Sequence, residues 1–348
     1  MPRILIVAPS WIGDTLLAQP LLRRLHEKLG RVSLDALAPP WCGPLLERMP
    51  EIDAVISSPF AHGELRLRER WKLGRELAQR HYDQAIVLPN SFKSALIPFF
   101  ADIPLRTGYA GEFRYGLLNL MHKLDPAKLP LMAERYAQLA EKPGAELPRP
   151  LPQVRLQVDP VNTARTTARL DLDRSRPVAV FCPGAEYGPT KRWPAQHYAA
   201  LARALAGRGY AVWLIGSGKD VEVGEEIRAQ SDGVCRNLCG QTDLAAAIDL
   251  IACAKLVVSN DSGLMHVAAA LGRPLIALYG SSSPAHTPPL SLTAQPASAR
   301  IAKIDIACSP CFARTCPLNH FKCMNDLLPE QVLAEIDALL EPAASMKM

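Results

Sequence analysis

The stretch VVSNDSGLMHVAAALGRPLIALYG, from Val257 to Gly280, constrains the fold more than any other part of the chain. Val257 and Val258 close an apolar β run. Asn260, Asp261 and Ser262 are residue types that leave strands and cap helices. Gly263 lets backbone approach a ligand closely, and His266 sits on the first turn of the helix that opens there. Leu264, Val267, Ala268 and Leu271 follow at helical spacing. Gly272 and Pro274 stop the helix before a second buried strand, Leu275 to Tyr279. Strand, crossover helix and strand make a βαβ unit, and hence a parallel sheet. The free N–H groups of such a helix start form an anion site, and the positive dipole end favours phosphate. An ordinary crossover in which Asp261 and Ser262 merely cap fits the same spacing, so other stretches have to decide.

The same alternation runs through the chain. Arg3 to Ala8 is a buried strand, and PSWIGDTLLAQPLLRRL turns into a helix carrying Leu17, Leu21, Leu22 and Leu25. Strands are expected over Val32–Leu37, Ala54–Ile56 and Ala85–Leu88, with helices near Leu45–Met49 and over Leu65–Arg80. The pattern weakens over Glu141–Pro152, where four prolines mark a linker. After a helical LQVDPVNTARTTARL it restarts with a strand at Val178–Cys182 and a helix at His197–Ala206. A strand at Ala211–Ile215 follows, then helices near Val221–Ala229 and at Leu244–Ala252. This predicts an α/β chain of two doubly wound domains facing each other across a cleft, with ligands at the carboxyl ends of the strands. The boundary is expected within about 150–175, giving domains 1–160 and 161–348.

Composition narrows the classes. The 348 residues are 49% hydrophobic and 21% charged, ordinary for a soluble globular protein. No apolar run approaches the roughly 20 residues of a membrane span, and no charged-then-apolar leader follows Met1, so the cytoplasm is the expected compartment. Residues 1–150 hold 20 Lys and Arg against 16 Asp and Glu, leaving 19 against 18 in the remainder. The basic excess of the first half points to an anionic partner. No basic-aromatic motif of the nucleic-acid-binding modules is present, so nucleic acid is not expected.

Three turns fall at the carboxyl ends of predicted strands. In Pro9-Ser10-Trp11-Ile12-Gly13-Asp14, Gly13 permits close approach and Asp14 stands at a helix start, as a general base for a substrate hydroxyl or as an acid that stabilises the helix dipole. The second turn is Pro183-Gly184-Ala185-Glu186-Tyr187-Gly188-Pro189-Thr190-Lys191-Arg192-Trp193-Pro194. Its small residues, hydroxyl and adjacent cations suit a phosphate-holding loop, although it follows neither the P-loop nor the dinucleotide fingerprint; solvated Lys191 and Arg192 are the alternative. The third, Ile215-Gly216-Ser217-Gly218-Lys219-Asp220, is weak by itself. In the first half, Asn90-Ser91-Phe92-Lys93 and Arg106-Thr107-Gly108-Tyr109 also follow apolar runs and bring polar groups to the same sheet edge.

Taken together, GPTKRWP, SNDSGLMHVAAALGRP and PSWIGDTLLAQPLL resemble the lipopolysaccharide heptosyltransferases of glycosyltransferase family 9. WCGPLLERMP, VLPNSFKSALIPFFADIP and RTGYAGEFRYGLLN narrow the resemblance to the type II branch, in the right order over nearly the whole chain. It implies a GT-B fold of two Rossmann-like domains. The N-terminal one would bind acceptor and the C-terminal one ADP-heptose, with a C-terminal helix that could pack back on the first. The implied reaction is inverting transfer from ADP-L-glycero-β-D-manno-heptose to the first heptose of the inner core on Kdo–lipid A. Asp14 would be the base and Lys191 would neutralise the leaving pyrophosphate. Gly184, Ala185, Glu186, Thr190, Gly216, Asp220, Thr242, Asp261, Ser262, Gly263, Leu264 and His266 would surround the donor. Gly13, Asn90, Ser91, Lys93, Arg106 and Arg114 are the acceptor-side candidates. No cofactor would be needed, domain closure would be part of the mechanism, and a monomer touching the inner membrane from the cytoplasmic side is expected. Types I and III, acting at other core positions, and a non-catalytic nucleotide-sugar binding module are the rival readings.

Two features fall outside that scheme. Of nine cysteines, Cys42, Cys182, Cys235, Cys239 and Cys253 are scattered and read as buried small apolar residues. Cys308, Cys311, Cys316 and Cys323 are crowded together with His320 among them, as free thiols, a structural zinc site or a disulfide. The stretch from His62 to Tyr82 could lie on anionic lipid with Trp71 at the interface. Because Glu64, Glu69 and Glu76 interrupt its basic face, a solvated helix with internal ion pairs is the preferred reading.

Overall fold

The computed structural model describes residues 1–60, 63–293 and 298–340. The chain divides into two compact units, Met1–Val154 and Arg155–Met348.

The first unit runs β1 (Arg3–Val7), α1 (Ile12–Leu17), α2 (Gln19–Leu29), β2 (Ser33–Ala38), α3 (Gly43–Leu46), β3 (Ala54–Ser57), α4 (Leu67–Ala78), β4 (Gln84–Val87), α5 (Phe92–Phe100), β5 (Leu105–Tyr109), β6 (Leu120–His122) and α6 (Met132–Gln138). Its six strands are all parallel, in the order β3-β2-β1-β4-β5-β6. β1 and β4 are apolar almost throughout because both faces are covered. Leu5, Val7, Ala85 and Val87 pack under Leu77 of α4 and Ala95 and Ile97 of α5. Each such fully buried Leu, Ile or Val side chain contributes roughly 1.5–3 kcal/mol, and a one-residue slip of register would forfeit several of them. Gly74 is dictated by packing: a Cβ there would stand 2.5 Å from the Phe100 Cβ, so α4 lies directly on α5.

Two expectations are corrected here. The single helix expected over PSWIGDTLLAQPLLRRL is two, broken around Ala18, with Pro20 in the first turn of α2, where its missing N–H costs nothing. Arg106 to Tyr109 do not follow a strand; they form one, β5. His62, where the charged stretch was expected to begin, lies outside the described residues.

The second unit runs α7 (Pro160–Arg169), β7 (Val178–Cys182), α8 (Ala195–Gly207), β8 (Ala211–Leu214), α9 (Val221–Gln230), β9 (Cys235–Asn237), α10 (Leu244–Ala252), β10 (Leu256–Asn260), α11 (Gly263–Ala270), β11 (Leu275–Leu278), β12 (Ala299–Ala302), α12 (Lys322–Asn325) and α13 (Pro329–Leu340). Its six strands are again parallel, ordered β12-β11-β10-β7-β8-β9. Phe181, Val212, Leu214, Val258, Ile276 and Leu278 of the sheet share one core with Tyr198 and Ala202 of α8 and with Val332 and Ile336 of α13. Among the described residues no helix is long and apolar enough to cross a membrane.

Both sheets carry a topological switch point. In the first unit the chain leaves β1 toward β2 on one side and β4 toward β5 on the other. In the second it leaves β7 toward β8 and β10 toward β11. The crevice beyond the carboxyl ends of those central strand pairs is where open α/β sheets bind ligands.

Candidate active site

In the first unit the turns after β1 and β4 border a cavity of about 800 Å³. Ser10, Trp11 and Asp14 come from the first turn, and Asn90, Ser91 and Lys93 from the second; Tyr109, Glu112, Arg135 and Tyr136 are among the other polar residues of the lining. Asp14 is part-buried at the start of α1. The Tyr136 hydroxyl donates to its Oδ1 at 3.5 Å. Burial, and then the Asp14 charge, push the Tyr136 phenol well above its ordinary range, so it stays a donor.

Gly13, Arg106 and Arg114 do not line the cavity. Arg114 is fully buried, and its guanidinium donates to the carbonyls of Pro89 and Tyr109 and, at 2.9 Å, to Asn90 Oδ1. Burial lowers its pKa. It orients Asn90 and is itself covered. Arg106 donates to the carbonyls of Leu117 and Ile103 and stacks over Phe99. Conversely, the sequence reading missed Arg70, Glu112, Arg135 and Tyr136 in the lining, whereas Tyr109, named with Arg106 at the sheet edge, does line it. Arg70 carries a signal in retrospect: it falls on the same helical face as Gly74 and Leu77, all three buried.

In the second unit the loop after β7 and the turn after β10 meet at the switch point. The Lys191 ammonium donates to Asp261 Oδ2 at 2.6 Å. The Ser282 hydroxyl, beyond β11, donates to the same oxygen. The ammonium also lies 5.0 Å from the centre of the Tyr187 ring. Ser262 occupies the N-cap of α11, but no side-chain hydrogen bond caps that helix start among the described residues. The N–H groups of Gly263 and Leu264 therefore open beside a fixed cation, which suits a polyanion.

Several donor-side candidates have structural duties. A Cβ on Gly184 would stand 2.5 Å from the Asp220 carboxylate, and one on Gly216 would stand 2.8 Å from the Asp220 Cβ. The space beside both glycines, expected to face the donor, is thus filled by Asp220, which accepts from the Ser217 N–H and hydroxyl. Glu186 pairs with Lys219 on the surface, and Ala185 is buried. Thr190 donates to the Ala313 carbonyl and accepts from Ser281, tying the Lys191 loop to the chain beyond β12. The Thr242 hydroxyl is buried without a partner among the described residues.

His266 is enclosed, and burial drives its pKa down to about 4 against a smaller opposing pull from Asp261. The folded protein therefore resists protonation that the unfolded chain accepts. His266 contributes its full stability above the unfolded value near 6.5, and that contribution is lost as pH falls toward about 4, by up to about 3 kcal/mol. Denaturant unfolding between these pH values should show a stability loss on acidification that His266→Gln makes shallower by about one proton. An unchanged slope would mean that the imidazole is not closed off.

The cysteine segment gives the zinc expectation no support. Cys308, Cys311, Cys316 and Cys323 are free, and they line a small cavity of about 20 Å³ with His320. Among the described residues no three His, Cys, Asp or Glu side chains are grouped to hold a metal ion. Of the scattered thiols, Cys42, Cys182, Cys235 and Cys239 are buried and Cys253 is partly so.

The sequence profile of glycosyltransferase family 9 (heptosyltransferase) matches residues 70–322. Lipopolysaccharide heptosyltransferase 2 of Escherichia coli is 48% identical over 97% of this chain and 98% of its own length. Lipooligosaccharide heptosyltransferase 2 of Haemophilus ducreyi is 44% identical over 97% of this chain and 99% of its own. The solved structure of E. coli ADP-heptose lps heptosyltransferase II superposes with a TM-score of 0.86 at 47% identity, covering 97% of this chain and 98% of that one.

Proposed function

The chain belongs to glycosyltransferase family 9, the heptosyltransferases, and from that premise we propose that it moves heptose from ADP-heptose to the first heptose of the inner core on Kdo–lipid A, with inversion. Its fold is of the GT-B type, and it is a glycosyltransferase of lipopolysaccharide core biosynthesis. The first unit is the acceptor domain and the second the donor domain. The observation that carries this reading is the complementary chemistry at the two switch points: a carboxylate over a large cavity in one, and a cation beside an open helix start in the other.

Asp14 takes the proton of the acceptor hydroxyl as its oxygen attacks the anomeric carbon. The bond to the diphosphate breaks on the opposite face, and negative charge grows on the leaving ADP. Lys191 and the N–H groups at the start of α11 meet that charge, a preorganised arrangement that requires no reorganisation during reaction. Asp261, itself held by the Ser282 hydroxyl, fixes Lys191 in place beforehand. Neutral His266 adds no charge of its own beside the site. The basic excess of residues 1–150 suits an acceptor bearing carboxylates and phosphates. A lipid-anchored acceptor also places the working enzyme at the membrane surface.

The test is ADP release from ADP-heptose with purified Kdo–lipid A cores carrying zero, one or two heptoses. Turnover confined to the one-heptose core is expected. Turnover only with a zero- or two-heptose core would move the acceptor assignment, and ADP binding without turnover on any core would overturn the catalytic reading.

A further inference from the structure

We propose that the exposed face of α4, beside the mouth of the first unit's cavity, is the surface by which the enzyme docks on an anionic lipid bilayer. This deepens the reading above, because it rests on an acceptor anchored in lipid. Leu67 and Trp71 stand four residues apart on α4, with Arg68 and Lys72 one residue along. They form an apolar edge next to a cationic stripe. The adjoining face, with Arg70, Gly74 and Leu77, is buried against the unit.

The apolar edge is unusually bare. Trp71 keeps 53% and Leu67 51% of their surface in solvent. The edge also continues around the cavity mouth. Leu65 and Phe92 are exposed and line the cavity. Arg70 of α4 donates to the Lys93 carbonyl, and the Phe92 N–H donates to Glu112, whose neighbour Phe113 is 88% exposed. This aromatic and aliphatic exposure beside the first unit's cavity suits the headgroup–acyl boundary, where Trp and Phe concentrate.

The charges favour the same occupant. Glu69 and Glu76 lie on the far edge of α4, past the cations. Arg66 is taken up by Glu64 and Glu69, and Arg75 by Asp102. Arg68 and Lys72 are exposed and form no ion pair among the described residues, so both are available to lipid phosphates. The ion pairs expected from sequence therefore form at the start of the helix and leave the stripe beside Trp71 open.

Full-length enzyme should co-sediment with phosphatidylglycerol–phosphatidylcholine vesicles at low salt, and binding should fade at high salt. It should not bind phosphatidylcholine alone. Arg68→Gln/Lys72→Gln should weaken binding roughly 30-fold, about a factor of five for each cation lost. Trp71→Ser should weaken it too and abolish the vesicle-induced blue shift of tryptophan emission. None of these residues lines the cavity, so turnover on a delipidated, water-soluble core acceptor should stay at the wild-type rate while turnover on vesicle-embedded acceptor falls. Vesicle binding needs no acceptor, so a failed acceptor assignment leaves this readout intact. Failure to bind anionic vesicles would overturn the proposal. So would binding that survives all three substitutions, or Trp71-dependent self-association in place of vesicle binding.

Discussion

Replacing Lys191 with alanine is expected to lower kcat roughly 10²–10³-fold and to weaken ADP binding as well, the scale on which removal of one preorganised charge-stabilising donor acts. Both effects follow from the placement of Lys191 beyond β7 at the switch point, where its ammonium is fixed before any diphosphate arrives. A second consequence could imitate the first. Asp261 is 5% exposed, and without Lys191 it becomes a buried carboxylate held by Ser282 and its other neighbours. Breaking a buried pair from one side costs about 3–5 kcal/mol, and the remaining Ser282 donor places this case at the low end. The single variant should therefore be less stable as well as slow.

Lys191→Ala/Asp261→Asn separates the two effects. Removing both charges relieves the orphaned carboxylate, so the melting temperature should recover most of the loss, while kcat stays as low as in Lys191→Ala. Residues in direct contact should couple in this way. Recovery of turnover together with stability would show that Lys191 serves the fold and not the leaving group.

How much of this was legible from residues alone depends on the range of the interaction. The βαβ units were readable because their apolar runs are bounded by Gly and Pro, as at Gly272 and Pro274 before β11 and Gly280 after it. The break between α1 and α2 was hidden because Leu16, Leu17, Leu21, Leu22 and Leu25 keep an apolar spacing through Pro20. β9 and β12 escaped because three- and four-residue strands at sheet edges, such as Cys235-Arg236-Asn237, are too short to show a period. Lys191 and Asp261 stood out as turn residues, yet their pairing spans 70 positions and only the sheet order creates it. Arg106 and Arg114 failed as cavity residues for a related reason. A guanidinium has five donors, and main-chain carbonyls close by in the fold take most of theirs, which no local pattern announces.

Asp14→Asn decides between the two readings the sequence left open for that residue. As an acid in the first turn of α1, Asp14 would stabilise a helix of six residues through the dipole, worth about 0.3–1 kcal/mol. As general base it would account for roughly 10²–10⁴ in rate, or about 3–5 kcal/mol of barrier. Asparagine keeps the shape and the oxygen that accepts from Tyr136, so the cavity lining should persist. The variant is therefore expected to melt within a few degrees of the parent and to bind ADP within a few-fold, because the groups assigned to ADP belong to the second unit. Its kcat should fall at least 100-fold, the lower end of that range. A lowered melting temperature with turnover near that of the parent would assign Asp14 to the helix and leave the proton to another group. The lining holds a second carboxylate, Glu112, which accepts from the Phe92 N–H, so Glu112→Gln is the matching control: it should keep turnover near that of the parent if Asp14 is the base.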